Sequence, residues 1–214
     1  MTKYDIYMPE NHMDDLYNSK NQIVKYVQND RLNSIVRTIP CGNGLKILDA
    51  GCGEGHLIEK VYSKSNKNIY YGIDITEVAL ESAKKRCPYA DIQKMDITNI
   101  TKENGFFDII ICSDVLEHVL RYKKAIRELK RVLKKDGKLI ITSPNERNWT
   151  ICRIILRRKP IRVPDHFNSF NAKKMESLVK LKVILKTNLP LGFPSFISLG
   201  ILMIFKRCEN DEIS

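Results

Sequence analysis

The chain holds 214 residues, 43% of them hydrophobic and 29% charged, enough to bury a full sheet between helical layers and too apolar for a disordered segment. Thirty-six basic against 25 acidic residues give a formal charge of +11, which attracts nucleic acid, anionic lipid or phosphorylated small molecules without choosing among them. The six cysteines form no CxxC pair, against a disulfide framework or a thiolate zinc site, and the polar start MTKYDIYMPENHMDD shows no secretory signal, so the expected home is a reducing cytoplasm.

In chain order, residues 14–39 carry Leu16, Ile23, Val24, Val27, Leu32, Ile35, Val36 and Ile39 at helical spacing, which predicts one or two amphipathic helices. They place an N-terminal helical extension or cap over residues 1–40, ahead of a main domain over 41–214. From there strands and helices alternate. Leu45–Ala50 is a short apolar strand that meets a glycine turn, and Leu57–Ser63 continues at helical period. Asn68–Ile75 reads as a second strand, Glu77–Arg86 as a helix with Thr76 as N-cap, and Asp91–Met95 as a weaker third strand. Phe107–Ser113 (FDIIICS) is a strongly apolar fourth strand, and Arg121–Leu133 an amphipathic helix ended by Lys135-Asp136-Gly137. Lys138–Ser143 is a fifth strand stopped by Pro144. Such alternation implies right-handed crossovers and a parallel sheet, and an unbroken apolar strand implies cover on both faces.

Residues 147–166 form a basic insert, where Trp149, Ile151, Ile154, Ile155 and Leu156 mix with Arg153, Arg157, Arg158, Lys159 and Arg162. This pattern suits a surface for phosphate or anionic lipid, a lid over an acceptor, or a solvated helix packing one side on the sheet. Residues 171–181 look helical with Asn171 as cap, and Lys182–Thr187 and Leu199–Lys206 look like two more strands. Leu189–Phe205 is uncharged but broken by Pro190, Gly192, Pro194 and Gly200, so two buried strands and a loop are expected there rather than a membrane span.

The most informative segment is KILDAGCGEGHLIEK. A strand delivers Asp49; Gly51, Gly53 and Gly55 follow, and a helix begins. Glycines let the backbone turn sharply and approach a ligand, and the helix start offers N–H groups. The spacing departs from the G-x-G-x-x-G dinucleotide fingerprint. Asp49 and Glu54 would repel a pyrophosphate but suit a ligand carrying an ammonium and a sulfonium. Asp74, at the end of the second strand, is placed to accept hydrogen bonds from both ribose hydroxyls, or else to cap the next helix. Ile75 could lie against an adenine face. Asp96 could accept from the adenine amine beside the backbone of Ile97, or simply form a turn.

Taken together, ILDAGCGEG, YYGIDIT, KMDI, FDIIICSDVLEHV and LKRVLKKDGKLIITSPN, in that order over about residues 40–206, resemble the class I S-adenosylmethionine-dependent methyltransferases. They are most similar to the small-molecule group that includes ubiquinone-biosynthesis O-methyltransferases and enzymes of glycan and lipid pathways. The resemblance implies a doubly wound α/β fold with a mostly parallel seven-stranded sheet and an antiparallel last strand beside the fifth. It implies S-adenosylmethionine as cofactor and S-adenosylhomocysteine as product. Asp49, Gly51, Cys52 and Gly53 would surround the methionine part, Asp74 and Ile75 the ribose and adenine, and Asp96 and Ile97 the adenine. Cys112 and Ser113 would lie near the methyl-bearing sulfur.

A sulfonium methyl is already electrophilic, so the protein has chiefly to align a nucleophile and exclude water. For a hydroxyl acceptor a general base helps, and His118, with Glu117 beside it, and His166 are the candidates. No metal site is expected, because Asp114 has no second acidic cluster to support it. The expected partner is a small-molecule acceptor, anionic or lipid-linked, with peripheral membrane contact and no specific nucleic acid. CSDVLEHV is not the N/D-P-P-Y/F type that methylates base amines, and 214 residues leave no room for an RNA-binding module. An RNA or protein acceptor, or a non-catalytic protein that binds S-adenosylmethionine, is the alternative.

Overall fold

A computed structural model describes residues 17, 19–155, 157, 166–208 and 211; the expectations for Leu16, Leu156, Arg158, Lys159 and Arg162 lie outside them. The elements run α1 (Gln22–Thr38), β1 (Lys46–Ala50), α2 (His56–Lys64), β2 (Ile69–Asp74), α3 (Glu77–Arg86), β3 (Asp91–Lys94) and β4 (Phe107–Ser113). After a 3₁₀ turn (Leu116–His118) come α4 (Tyr122–Val132), β5 (Leu133–Pro144), α5 (Glu146–Ile155), α6 (Ala172–Val179), β6 (Lys182–Leu189) and β7 (Gly200–Lys206).

The seven strands form one sheet in the order β3-β2-β1-β4-β5-β7-β6. β1 to β5 are mutually parallel, and β7 runs antiparallel between β5 and β6. The chain winds outward from β1 to β3, then crosses back to β4, so the order reverses between β1 and β4. In open α/β sheets that switch point opens a crevice at the carboxyl ends of the strands. Register carries the same ends to one edge: Asp49 sits opposite Gly72 and Ile111, and Ser113 opposite Thr142.

Side-chain alternation divides the core into two layers. Leu48, Ile110, Cys112, Leu139 and Ile141 meet Ala125, Ile126 and Leu129 of α4 and Met175 and Val179 of α6. Ile47, Ile109, Ile111 and Ile140 meet Leu32 and Ile35 of α1, Leu57, Ile58 and Val61 of α2, and Leu80 and Ala83 of α3. Truncating one such fully buried side chain to Ala costs about 2–5 kcal/mol.

Local chemistry explains most boundaries. Asn21 caps α1 by accepting from the N–H groups of Ile23 (3.0 Å) and Val24 (3.2 Å), and Asn171 caps α6 through Lys174 N–H (2.8 Å). Thr76 stands at the start of α3 but makes no side-chain cap; its own N–H donates to Asp74. β5 begins at Leu133, earlier than the expected Lys138, because Leu133 pairs with Phe107 before a register shift. The uncharged tail resolves into the last residue of β6, a loop and β7; β7 is buried as expected, but β6 lies at the sheet edge and is largely exposed, so only one of the two strands is a buried one, and among the described residues no helix is long and apolar enough to cross a membrane.

Candidate active site

The loop after β1 is held by backbone geometry that side chains would oppose. Gly51 adopts φ 89°, and its N–H and that of Cys52 both donate to Ile73 O, at 2.7 and 3.0 Å. A Cβ on Gly51 would lie 2.3 Å from Val115 Cγ2, so a side chain there must push aside Val115 in the loop after β4. Gly55, at φ 84°, starts α2. Gly53 N–H donates to Asp74 Oδ2 at 2.9 Å, and Thr76 N–H to Asp74 Oδ1 at 2.9 Å. Asp74 therefore fastens the glycine loop to β2 and also makes the turn into α3. Each of its oxygens keeps a lone pair for another donor.

Asp49 is almost fully buried beneath this loop. Burial first, and the Asp74 carboxylate second, push its carboxyl up to about 7, against the pull of Arg31. A desolvated acid of this kind gains from any cation brought beside it, which fits the ammonium and sulfonium of S-adenosylmethionine.

The remaining cofactor candidates contribute unequally. Ile75 is 45% exposed at the tip of β2, an apolar surface suited to a flat ring. Asp96 is exposed and makes a turn, accepting from Thr98 N–H at 2.7 Å through Oδ1 and from Asn99 N–H at 2.8 Å through its carbonyl. The side chains of Ile97, Cys52 and Cys112 are buried in the core. What those three can offer a ligand is backbone, and burial raises both thiols far above their ordinary range. Ser113 is half-buried, its Oγ 3.0 Å from Thr142 Oγ1.

Spacing alone missed an ionic lock at the strand ends. Arg31 of α1 bonds to Asp114 and, at 3.1 Å, to the hydroxyl of Tyr17. Asp114, at φ 52°, also accepts from Thr142 Oγ1 at 2.7 Å. Burial opposes the guanidinium charge, but Asp114 and Tyr17 outweigh it and raise the Arg31 pKa. One signal was legible: Arg31 falls on the apolar stripe of Val24, Val27 and Ile35, an unusual place for a cation without a buried partner.

A second constellation follows β4. Glu117 is 1% exposed, and neither carboxylate oxygen has a hydrogen-bond partner. Burial, then Asp114, raises its pKa well above the usual carboxylate range. Its carbonyl accepts from Phe167 N–H (2.9 Å) and Asn168 N–H (3.1 Å), and Asn168 Nδ2 donates to Val119 O (2.9 Å). These bonds bring His166 to His118, their rings edge to face with centroids 4.6 Å apart. His166 Nδ1 lies 2.6 Å from Glu146 Oε1. The two histidines singled out by sequence thus share one site, joined by Glu117 and Glu146. His56 lies elsewhere, with its ring 4.7 Å from that of Tyr17.

A glycine loop at the switch point, acids closing β1 and β2, and this strand order define a Rossmann-like methyltransferase fold. The chain belongs to the methyltransferase-domain family, whose model matches residues 42–183, and family and fold together imply S-adenosylmethionine as the cofactor. It is 29% identical over 197 residues to the mitochondrial ubiquinone biosynthesis O-methyltransferase of Bos taurus, covering 86% of this chain and 50% of that protein. It is 26% identical over 143 residues to a probable S-adenosylmethionine-dependent methyltransferase of Mycobacterium tuberculosis, covering 67% of this chain and 50% of that one. The chain therefore spans about half the length of these curated relatives. Among solved structures, the YcgJ protein of Bacillus subtilis superposes with a TM-score of 0.66 at 19% identity, covering 85% of this chain and all of that one. The PH0226 protein of Pyrococcus horikoshii gives 0.73 at 18% identity, covering 94% and 99%.

Proposed function

We propose that this chain transfers the methyl group of S-adenosylmethionine to an oxygen of a small-molecule acceptor. The observation that carries the reading is the adjacency of two sites along β4 and its loop. The cofactor cradle of Asp49, the glycine loop and Asp74 lies at the strand ends, and the Glu117, His118, His166 group follows immediately after β4. When bound, S-adenosylmethionine supplies a methyl on a positively charged sulfur; the O–C bond forms as the C–S bond breaks, with the electron pair left on sulfur.

The protein's own groups do the rest. Asp74 accepts from the ribose hydroxyls with the lone pairs left after Gly53 and Thr76 are bonded. Asp96 and the backbone of Ile97 face the adenine, with Ile75 against its ring, while Asp49 balances the cationic methionine end. Gly51, Cys52, Gly53, Cys112 and Ser113 border the methionine part through backbone and small side chains. α1, through Arg31, caps the crevice and excludes water. His166, steadied by Glu146 at Nδ1, presents Nε2 to take the acceptor hydroxyl proton, with His118 at its side.

The acceptor is small and anionic or lipid-linked. In support, α5 carries exposed Ile151, Ile154 and Ile155 together with Arg153, and Asn148 ties it to the exposed Phe196 loop. The bovine relative's name, an O-methyltransferase of ubiquinone biosynthesis, supports oxygen as the methylated atom. We place the reaction in the cytoplasm or at its membrane surface, a reading supported by the exposed isoleucines and Arg153 of α5.

Calorimetry with S-adenosylhomocysteine is expected to show one site per chain. Asp74→Ala should weaken it at least tenfold, since each charge-assisted hydrogen bond is worth about 1.5–3 kcal/mol. Unchanged affinity would remove the ribose assignment. A screen with labelled cofactor against hydroxylated lipids, small acids, RNA and protein then tests the acceptor class; label transferred only to RNA or protein would overturn it.

A further inference from the structure

We propose that the cationic hollow beside α4 binds a phosphate or diphosphate group carried by the acceptor. The inference deepens the methyl-transfer reading and rests on it for the ligand's role, though not for anion binding itself.

A depression of about 450 Å³ is lined by Leu120, Arg121, Tyr122, Lys123, Lys124 and Arg127, a size within the roughly 300–1,000 Å³ of small-ligand sites. The four cations among them are exposed, and none has an ion pair among the described residues. The acids of the neighbouring helices are already engaged. Glu128, the single acid of α4, accepts from Arg131 Nε and Nη2, each at 2.8 Å. Glu176, the single acid of α6, accepts from Lys186 Nζ at 2.8 Å. Four like charges around one hollow repel each other. Three of them also stand at the cap and first turn of α4, where the helix dipole favours acids instead. An anion seated among them relieves both conflicts. The rest of the wall is apolar. Leu120 is half-exposed, and Tyr122 packs edge to face on Phe170 with centroids 5.3 Å apart. Lys174 lies over both rings while donating to Ser169 O at 2.7 Å, which fixes this aromatic surface beside the cations.

Charge and shape select the ligand. A phosphate monoester carries about −1.5 to −2 near neutral pH, and four cations match that, or a diphosphate, better than the single charge of a carboxylate. Two guanidinium groups add forked donors suited to phosphate oxygens. Nucleic acid or a bilayer calls for cations spread along a path or a plane, whereas these line one hollow. Position gives the site its role. Arg121 follows His118 by three residues, so their Cα atoms lie within about 11 Å. The turn between them is pinned by Asn168, whose Nδ2 donates to Val119 O at 2.9 Å. A phosphate held here sits a short, fixed distance from the histidines, a span that a small organic body covers with its hydroxyl at their side.

The test titrates inorganic pyrophosphate into the full chain by calorimetry. One ion per chain is expected. Arg121→Gln with Arg127→Gln should weaken binding tenfold or more, and so should Lys123→Gln with Lys124→Gln, while Lys85→Gln on the exposed side of α3 leaves it unchanged. Neither double variant should lower the melting temperature, because these side chains make no ion pair that folding needs. No pyrophosphate binding by the natural chain, or equal weakening by Lys85→Gln, would overturn the proposal. Vesicles containing phosphatidic acid form a second arm: if the four cations bind them and free pyrophosphate is not bound, the hollow faces a bilayer and the proposal fails. S-adenosylhomocysteine is titrated into the same samples: binding there without pyrophosphate binding sinks the anion site alone, and its absence sinks the methyl-transfer reading.

Discussion

At the scale of single residues, Asp49 makes the proposed cofactor site sensitive to pH. Its carboxyl titrates at about 7 in the fold against an ordinary value of 3.8. Between those values the folded chain binds the proton more tightly than the unfolded chain, so this group's contribution to stability falls as pH rises through the window. The cost at pH 8 is roughly 2–4 kcal/mol, with the lower part of that range the better guide for a site that relaxes. Thermal unfolding of the cofactor-free protein should show a melting temperature that drops between pH 5 and pH 8 and flattens in Asp49→Asn. S-adenosylhomocysteine, through its ammonium, should lessen the drop. A slope unchanged by Asp49→Asn would mean that another group sets it. Sequence alone made Asp49, the glycines and Asp74 legible, since a strand-turn-helix with acids at strand ends is a local pattern. It left undecided whether Asp74 and Asp96 are ligand acceptors or turn formers, and the hydrogen bonds show both making turns. The inward turn of Cys112 was not readable, because a strand covered on both faces has no polar side to betray its phase, nor was that of Cys52, because a glycine loop has no periodicity from which to read a face.

At the scale of elements, the sheet was readable from alternation, and the helices from their apolar stripes. What could not be read was how α1 meets the strand ends, because Arg31 and Asp114 are 83 residues apart in sequence. The pair is mostly buried, with side chains 11% and 24% exposed. Removing one member of such a pair leaves a desolvated charge, at a cost of about 3–5 kcal/mol where burial is complete and less here. Arg31→Met should therefore lower stability by about 2–3 kcal/mol in urea unfolding. The double variant Arg31→Met with Asp114→Asn should recover part of that loss, because no unpaired charge remains. Additive losses would show that the contact is incidental. If α1 closes the crevice, Arg31→Met should also speed dissociation of S-adenosylhomocysteine.

At the scale of the molecule, exposed apolar side chains and arginines meet on one helix of a chain whose net charge is +11. Ile155 is 73% exposed and Phe196 77% exposed, on two elements joined by Asn148, whose Nδ2 donates to Phe196 O at 3.1 Å and Ser198 O at 2.7 Å. Arg153 lies within the same helix and Arg157 just beyond it. Apolar side chains beside two arginines would suit an anionic bilayer in both respects: the hydrocarbon would take Ile155 and Phe196, and the headgroups would pair with guanidinium. RNA would use only the second. Vesicles of phosphatidylcholine with phosphatidylserine should bind the chain, and binding should weaken as salt rises but persist in part, because apolar insertion is not screened. Ile155→Glu and Phe196→Glu should each reduce vesicle binding several-fold while leaving S-adenosylhomocysteine affinity unchanged, since neither residue belongs to the cradle. Binding that disappears entirely at modest salt and ignores both substitutions would be plain charge attraction. The acceptor would then be sought among soluble anions.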